Sequence, residues 1–369
     1  MQIPFMRLDR QFADNRQQFM DAVEKVFTHG KVLQAKEVAD LEERIAGYFA
    51  LPYGVAVGSG TDALILGMKA LGLKPGGKVA VTSLSFVASA SAIVHAGGVP
   101  VFVDVENEHY MAREDILLDL VKSGAVDGVV AVHLYGQMTE LSEVYAEAKK
   151  RGIFVIEDAA QALGATRNGV QPGQYSDVTC VSFDPTKVIG AQGSGGLALA
   201  REHHVAEHMK RLRYHGHAGQ RVYTEIGHNS QLPTVQAAIV GAKLDHEEAW
   251  RLRRLEIAAA FTKTLDRLPY VSAPKVREGN THIFHKYVMT VPNHRDALAA
   301  HLKNAGISTS VHYSMPLNEQ PCFTGIHQVA GDMSGVKRAC AQVLSLPIYP
   351  ELTDEEVRYI CEALKAFKG

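Results

Sequence analysis

The chain has 369 residues, 46% of them apolar, and a formal net charge of −2. That is enough material for one or two globular domains with a substantial core, and too apolar for gross disorder. The near-neutral balance argues against nucleic acid as the main partner, and no apolar run reaches the length of a membrane span.

The opening, Met1 to Arg7, carries no apolar signal core, so a cytoplasmic protein is expected. Residues 11–27 and 37–50 read as two amphipathic helices separated by Thr28-His29-Gly30-Lys31, and Leu41, Ile45 and Phe49 fall on one face of the second. A short strand through Val55-Ala56-Val57 then runs into Gly58-Ser59-Gly60-Thr61 and a helix striped by Leu64, Met68 and Leu71. Small residues and hydroxyls at a helix N-terminus suit a phosphate, although Ser59 or Thr61 could equally be a plain helix cap. The pattern is neither a Walker loop nor a dinucleotide fingerprint. A strand over 79–82 reaches a polar cluster and Phe86, which suits either one face of a planar cofactor or the core.

Strands over 99–103 and 126–132 follow, the second leading to His133-Leu134-Tyr135-Gly136-Gln137, and a helix spans 142–151. The run Phe154-Val155-Ile156 reads as a buried parallel strand ending in Glu157-Asp158. Alternating strands and helices predict a parallel α/β sheet, with the chemical groups at strand ends. An acid at such an end faces the ligand crevice of a doubly wound sheet, or caps the next helix. A β-type run over 178–183 ends in Asp184-Pro185-Thr186-Lys187, and a glycine-rich return leads to an apolar run over 197–200. A lysine on that bend with a carboxylate on the neighbouring strand is what pyridoxal 5′-phosphate (PLP) needs. The lysine forms the Schiff base, and the acid keeps the ring nitrogen protonated.

A basic helix spans 201–213, followed by a histidine-rich loop without metal-ligand spacing, so no metal is expected. A helical tract from Pro233 to about Leu268, striped by Val235, Ala238, Ile239 and Leu244, is long enough to bridge domains, which places a boundary near 240. Beyond it a smaller α/β unit is expected, with strands over 287–291 and 307–313, helices over 295–305 and 353–367, and a capping box at Thr353. The four cysteines, Cys180, Cys322, Cys340 and Cys361, form no Cys-x-x-Cys pair and read as buried free thiols in a reducing compartment.

Gly58-Ser59-Gly60-Thr61-Asp62-Ala63-Leu64, His133-Leu134-Tyr135-Gly136-Gln137, Glu157-Asp158-Ala159-Ala160-Gln161 and Ser182-Phe183-Asp184-Pro185-Thr186-Lys187 occur in that order. Gly227-His228-Asn229-Ser230, Val311-His312-Tyr313 and Ser345-Leu346-Pro347-Ile348 follow. Together they resemble the DegT/DnrJ/EryC1/StrS family of PLP-dependent sugar aminotransferases over nearly the whole chain. The resemblance implies the aspartate-aminotransferase-like fold type I. Residues 1–240 would form a large, mainly parallel-sheet PLP domain with N-terminal helices, and 241–369 a smaller C-terminal α/β domain. It implies a homodimer with shared active sites. The reaction would aminate a C3 or C4 ketone of a nucleotide-linked keto-sugar, with glutamate as donor, and the Asp-Pro-Thr-Lys form points to C3.

By the same resemblance Lys187 carries the Schiff base, Asp158 pairs with the pyridine nitrogen and Gln161 with the ring hydroxyl, while Phe86 stacks on the ring. Gly60, Thr61 and Ser182 hold the phosphate, Asn229 reaches it from the other subunit, and His312 and Tyr313 face the sugar nucleotide. The chain departs from the common pattern at Gln231, where relatives often have Arg, at Ser194, where an acid is common, and at Asn318, where His is common. These departures bear on substrate contacts. An eliminating PLP lyase acting on an amino acid shares the fold, and a non-catalytic relative shares the motifs, so both stand as alternatives.

Overall fold

The computed structural model describes residues 1–368. Three helices open the chain, α1 (Leu8–Asp14), α2 (Arg16–His29) and α3 (Lys36–Tyr48). The helix expected over 11–27 is divided at Asn15, whose backbone leaves the helical region while its side-chain amide donates to the Gln11 carbonyl at 3.0 Å. Such a side chain competes with the helix ladder. Leu41, Ile45 and Phe49 are buried as their spacing predicts.

The strands are β1 (Tyr53–Val57), β2 (Lys78–Thr82), β3 (Val99–Val103), β4 (Gly128–Val132), β5 (Phe154–Asp158), β6 (Thr166–Arg167), β7 (Val178–Ser182), β8 (Gly196–Ala200), β9 (Asn280–Thr281), β10 (Tyr287–Thr290), β11 (Gln328–Ala330) and β12 (Val343–Leu346). Eight of them form one sheet in the order β1-β8-β7-β5-β4-β2-β3-β11. Every pairing in it is parallel except those of β8, which runs antiparallel to both β1 and β7. The carboxyl ends of β1, β2, β4, β5 and β7 therefore lie along one edge. Strands β4 and β5 are buried throughout. In β1 successive residues serve opposite faces: Val55 and Val57 join the core under α4 (Gly60–Ala70), and Ala56 joins the core under α3. Helices α5 (Ala88–His95), α6 (Glu114–Lys122) and α7 (Ser142–Arg151) carry the crossovers between β2 and β5.

After α8 (His203–Leu212), the expected unbroken tract is two helices, α9 (Thr234–Leu244) and α10 (Glu247–Leu265). The buried face of α9 is Thr234, Ala237, Ile239, Val240 and Lys243, which shares only Ile239 with the stripe read from its apolar residues, because α2 and α3 both pack on it. The remaining helices are α11 (Arg295–Asn304), α12 (Ser334–Gln342) and α13 (Asp354–Ala366), the last opened by the expected capping box of Thr353 and Glu356. Helices α11 and α13 pack on the antiparallel pair β10–β12 in a core shared by Ile3, Phe261, Leu298, Leu346 and Ile360, whereas α12 joins Val288 and Val343 of that pair in a separate core.

Residues 307–313 are not a ladder strand. They are held by isolated bridges from Ile307 to Ile3 and from Ser310 to Ser345. Strand β11, absent from the sequence reading, returns to pair with β3 at the edge of the large sheet. Cys180, Cys340 and Cys361 are buried, whereas Cys322 is exposed, against expectation. Among the described residues no helix is long and apolar enough to cross a membrane.

Candidate active site

The carboxyl edge of the sheet opens onto a crevice of about 670 Å³. One end is formed where β1 turns into α4. The Ser59 hydroxyl accepts from the Asp62 N–H at 3.1 Å and caps the helix, and Gly60 is its first residue. A Cβ on Gly60 would stand 2.8 Å from Cβ of Ser182, and one on Gly196 would stand 2.3 Å from the Ser59 carbonyl carbon. Only glycine allows these segments to approach so closely. Ser59, Gly60, Thr61 and Ser182 thus converge at a helix N-terminus whose N–H groups suit an anion. Beneath them the Ser230 hydroxyl donates to Asp62 at 2.8 Å and accepts from the Gly58 N–H at 3.0 Å, a support the sequence reading missed.

Lys187 is presented by a turn at the end of β7. The Asp184 carboxylate accepts from the Thr186 N–H at 2.9 Å and the Thr186 hydroxyl at 2.6 Å, and the Lys187 N–H donates to the Asp184 carbonyl at 2.9 Å. Helix α9 anchors the return of the loop. Nζ of buried Lys243 donates to the Gly190 carbonyl at 2.7 Å, and the Gln236 amide pairs with the Gln192 backbone at 2.8 and 3.1 Å. Burial lowers the Lys187 pKa, against weaker opposing pulls from Asp158 and Asp184. Among the described residues its ammonium has neither a hydrogen-bond acceptor nor an ion-pair partner.

Asp158, 4% exposed, ends β5 on the crevice wall. One oxygen accepts from the Ser89 hydroxyl at 2.8 Å, itself bonded to Ser85 at 2.9 Å, and the other accepts from the Ala160 N–H at 3.1 Å. The Gln161 carbonyl accepts from the Tyr135 N–H at 2.9 Å, and its amide faces the Tyr313 hydroxyl at 3.4 Å. The Tyr135 hydroxyl donates to the His312 carbonyl, and the His312 ring meets the Ser345 hydroxyl at 2.8 Å. Burial pushes the Tyr313 phenol up and the His312 imidazole down to about 4, so His312 is neutral near pH 7.

Phe86 lines the crevice and is 55% exposed, which removes the core reading. Gly60, Thr61, Asp158, Gln161, Ser182, Lys187, His312 and Tyr313 line the same crevice. Asn229 does not. It is exposed on the loop between α8 and α9, where it bridges Tyr214. The reading also missed Phe5, Ser85, Ser89, His285 and Lys286, all on the crevice wall. The first arrives from the far N-terminus, and the others sit in short polar stretches without a periodic signature.

These residues fit PLP. A desolvated lysine without a partner faces a buried carboxylate, an anion cradle lies at one end, and an exposed aromatic ring flanks the space between. PLP, when bound, supplies an electron sink next to the substrate carbon.

Comparison with known proteins agrees. The profile of the DegT/DnrJ/EryC1/StrS aminotransferase family matches residues 13–365. The chain is 34% identical over 369 residues to the "Pleiotropic regulatory protein" of Geobacillus stearothermophilus, covering 100% of this chain and 99% of the relative. It is 33% identical over 362 residues to the UDP-2-acetamido-2-deoxy-3-oxo-D-glucuronate aminotransferase of Pseudomonas aeruginosa, covering 98% and 99%. Among solved structures it is similar to S. venezuelae DesV in complex with a ketimine intermediate, with a TM-score of 0.93 at 31% identity, covering 99% and 98% of the two chains. The fold is thus the α/β architecture of these enzymes, and the chain belongs to the DegT/DnrJ/EryC1/StrS aminotransferase family, as a PLP-dependent transaminase.

Proposed function

We propose that the protein transfers an amino group to a ketone of a nucleotide-linked keto-sugar, with C3 the favoured position and glutamate the donor. The observation that carries the reading is Lys187, desolvated and without a partner, beside Asp158 in a crevice lined by the other motif residues. The P. aeruginosa relative, by its name, acts on a 3-oxo sugar attached to UDP. A regulator that had lost catalysis would have no use for such a lysine, and the relatives' names do not favour elimination.

The residues divide the work. Gly60, Thr61 and Ser182 would hold the cofactor phosphate and Phe86 would cover one face of its ring, while Gln161 would meet the ring hydroxyl and Asp158 the ring nitrogen. The cofactor would supply an electron sink, and the Lys187 amine, once released by the donor, would take the proton from the nitrogen-bearing substrate carbon and return it on the other side of the transfer. His312 and Tyr313 face the sugar nucleotide. Residues up to about 240 carry the cofactor machinery, and the C-terminal part, apart from β11 in the large sheet, forms a smaller unit on the substrate side.

Asn229, exposed on its loop, completes the phosphate site of a second copy, so the working unit is a homodimer, placed in the cytoplasm. Mixing the Lys187→Ala protein, expected to be inactive, with the Asn229→Ala protein, expected to be impaired, tests that arrangement. Shared sites predict recovered activity, because one site of each mixed dimer carries neither change.

The reaction itself is tested by incubating the holoenzyme with glutamate and matched C3- and C4-keto sugar nucleotides and locating the nitrogen in the product by mass spectrometry and NMR. An amino group at C3 is expected. Ammonia and a keto acid, with no aminated sugar, would overturn the reading.

A further inference from the structure

The crevice has a second set of polar lining residues, of which the roles above use only His312. It is built from His285 and Lys286, just before β10, and from Thr309, Ser310 and His312 on the bridged segment after α11. Nζ of Lys286 lies over the Phe5 ring, 5.2 Å from its centroid, and among the described residues it has neither a hydrogen-bond acceptor nor a carboxylate partner. His285 is 2% exposed, and among the described residues its buried Nδ1 has no hydrogen-bond partner. A half-buried cation and a buried imidazole nitrogen left open in one wall are costly unless a ligand meets them.

The acids that line the crevice do not fill that role. Asp158 is engaged by Ser89 and Ala160, and Asp184 by Thr186. Burial lowers the Lys286 pKa to about 8, helped by Lys187 and Arg254 and opposed more weakly by Asp184. The field at Lys286 is therefore one that an arriving anion relieves.

We propose that Lys286 and His285, with the hydroxyls of Thr309 and Ser310, form a carboxylate-binding subsite that docks the α-carboxylate of the amino donor. The choice of anion follows from placement. Lys286 and Lys187 line the same crevice, so the subsite shares its space with the reacting amine. In an amino acid the carboxylate sits on the very carbon that carries the nitrogen. In a sugar nucleotide with its ketone at C3 or C4 the diphosphate is several bonds away. Lys286 is thereby a positioning residue that turns the donor's Cα–H toward Nζ of Lys187. The inference rests on the transaminase reading for the identity of the donor and on the geometry of the wall for the anion.

The test uses the holoenzyme with Lys286→Gln and the charge-keeping Lys286→Arg. The two half-reactions are followed separately by cofactor absorbance. Titration calorimetry with succinate, an unreactive dicarboxylate, reads the subsite without turnover. Loss of one charge-assisted hydrogen bond predicts that Lys286→Gln raises the glutamate concentration for half-maximal rate about 10- to 100-fold. It should weaken succinate comparably and leave the keto-sugar half-reaction within about twofold. Lys286→Arg should restore most of the loss. Unchanged glutamate dependence and succinate affinity in Lys286→Gln would overturn the subsite. A defect confined to the sugar half-reaction would assign Lys286 to an anion of the sugar and overturn the donor assignment. If the wild type reacts with neither glutamate nor any keto-sugar, the transaminase reading fails, and a Lys286-dependent succinate signal would still support the anion subsite.

Discussion

On the sheet side of the crevice the polar groups hold one another in place. Asp158 is fixed by Ser89 and Ala160, Asp184 by Thr186, and Gly190 and Gln192 by Lys243 and Gln236 of α9. Among the described residues the Lys286 ammonium and Nδ1 of His285 have no such partners, and the segment carrying Thr309 to Tyr313 is tied by isolated bridges and not by a ladder. A wall that satisfies its own hydrogen bonds offers a fixed template, which suits a cofactor that stays. A wall with open polar atoms stores binding capacity for molecules that come and go. The contrast separates what makes the protein a PLP enzyme from what selects its substrates.

The sheet side should break hardest. Lys187→Ala is expected to lower turnover by at least about a thousandfold and to remove the visible absorbance of the holoenzyme, because no other group supplies both the nucleophile and the proton carrier. Near-normal rates in a transamination assay would end the assignment. Asp158→Ala should cost about a hundredfold in rate, the scale on which a positioned acid or base acts, while Lys187 still takes up the cofactor. If instead the absorbance is lost and the rate per bound cofactor is normal, Asp158 acts in binding alone.

Gly60→Val sharpens the comparison without touching a reacting group. Even its Cβ would stand 2.8 Å from Cβ of Ser182. The cradle must therefore open, at about 1–3 kcal/mol for an overpacked contact. PLP affinity should fall about tenfold or more while glutamate dependence, measured at saturating PLP, stays put. Equilibrium dialysis against PLP checks the first part. An unchanged affinity would mean that the phosphate does not sit there.

The two walls were not equally legible in the sequence. Lys187, Asp158, Gly60 and Thr61 lie at strand ends or strand-to-helix turns, where a buried apolar run stops at polar residues, so position alone made them candidates. Ser85 and Ser89 escaped because a helix start made of small residues carries no sign of the carboxylate it meets. Lys286 and His285 escaped for a different reason. Their surroundings come from Phe5 and from the bridged segment, partners remote in the chain, and no local pattern records such contacts. The expected strand over 307–313 failed similarly. Its alternation is real, but among the described residues it is held by isolated bridges to Ile3 and Ser345 and not by a ladder. Lys243 was hidden because it is buried by one hydrogen bond to Gly190 on a helix otherwise read by its apolar stripe.

The smallest expected effect concerns the open wall when nothing is bound. The folded-state pKa of Lys286 is about 8, against 10.5 for an ordinary lysine. Between those values the unfolded chain binds more protons than the folded one, so this group makes stability rise with pH. Below about pH 8 Lys286 is charged in both states, and the cost of burying that charge is felt in full. Lys286→Met should therefore stabilise the cofactor-free protein, by about 1–2 kcal/mol at pH 7. The advantage should shrink as pH passes 8 and vanish near 10.5. Lys243, whose pKa is also lowered to about 8 by burial, remains in both proteins and cancels from the difference. Denaturant unfolding of the two apoproteins across that pH range reads the effect directly. A constant difference at all pH values would show that the substitution acts through packing against Phe5, and a destabilised variant at pH 7 would show that the ammonium already has a partner in the empty crevice. With the carboxylate subsite filled by succinate the sign should reverse, since the bound anion favours the charged lysine and holds the wild type more tightly than the variant.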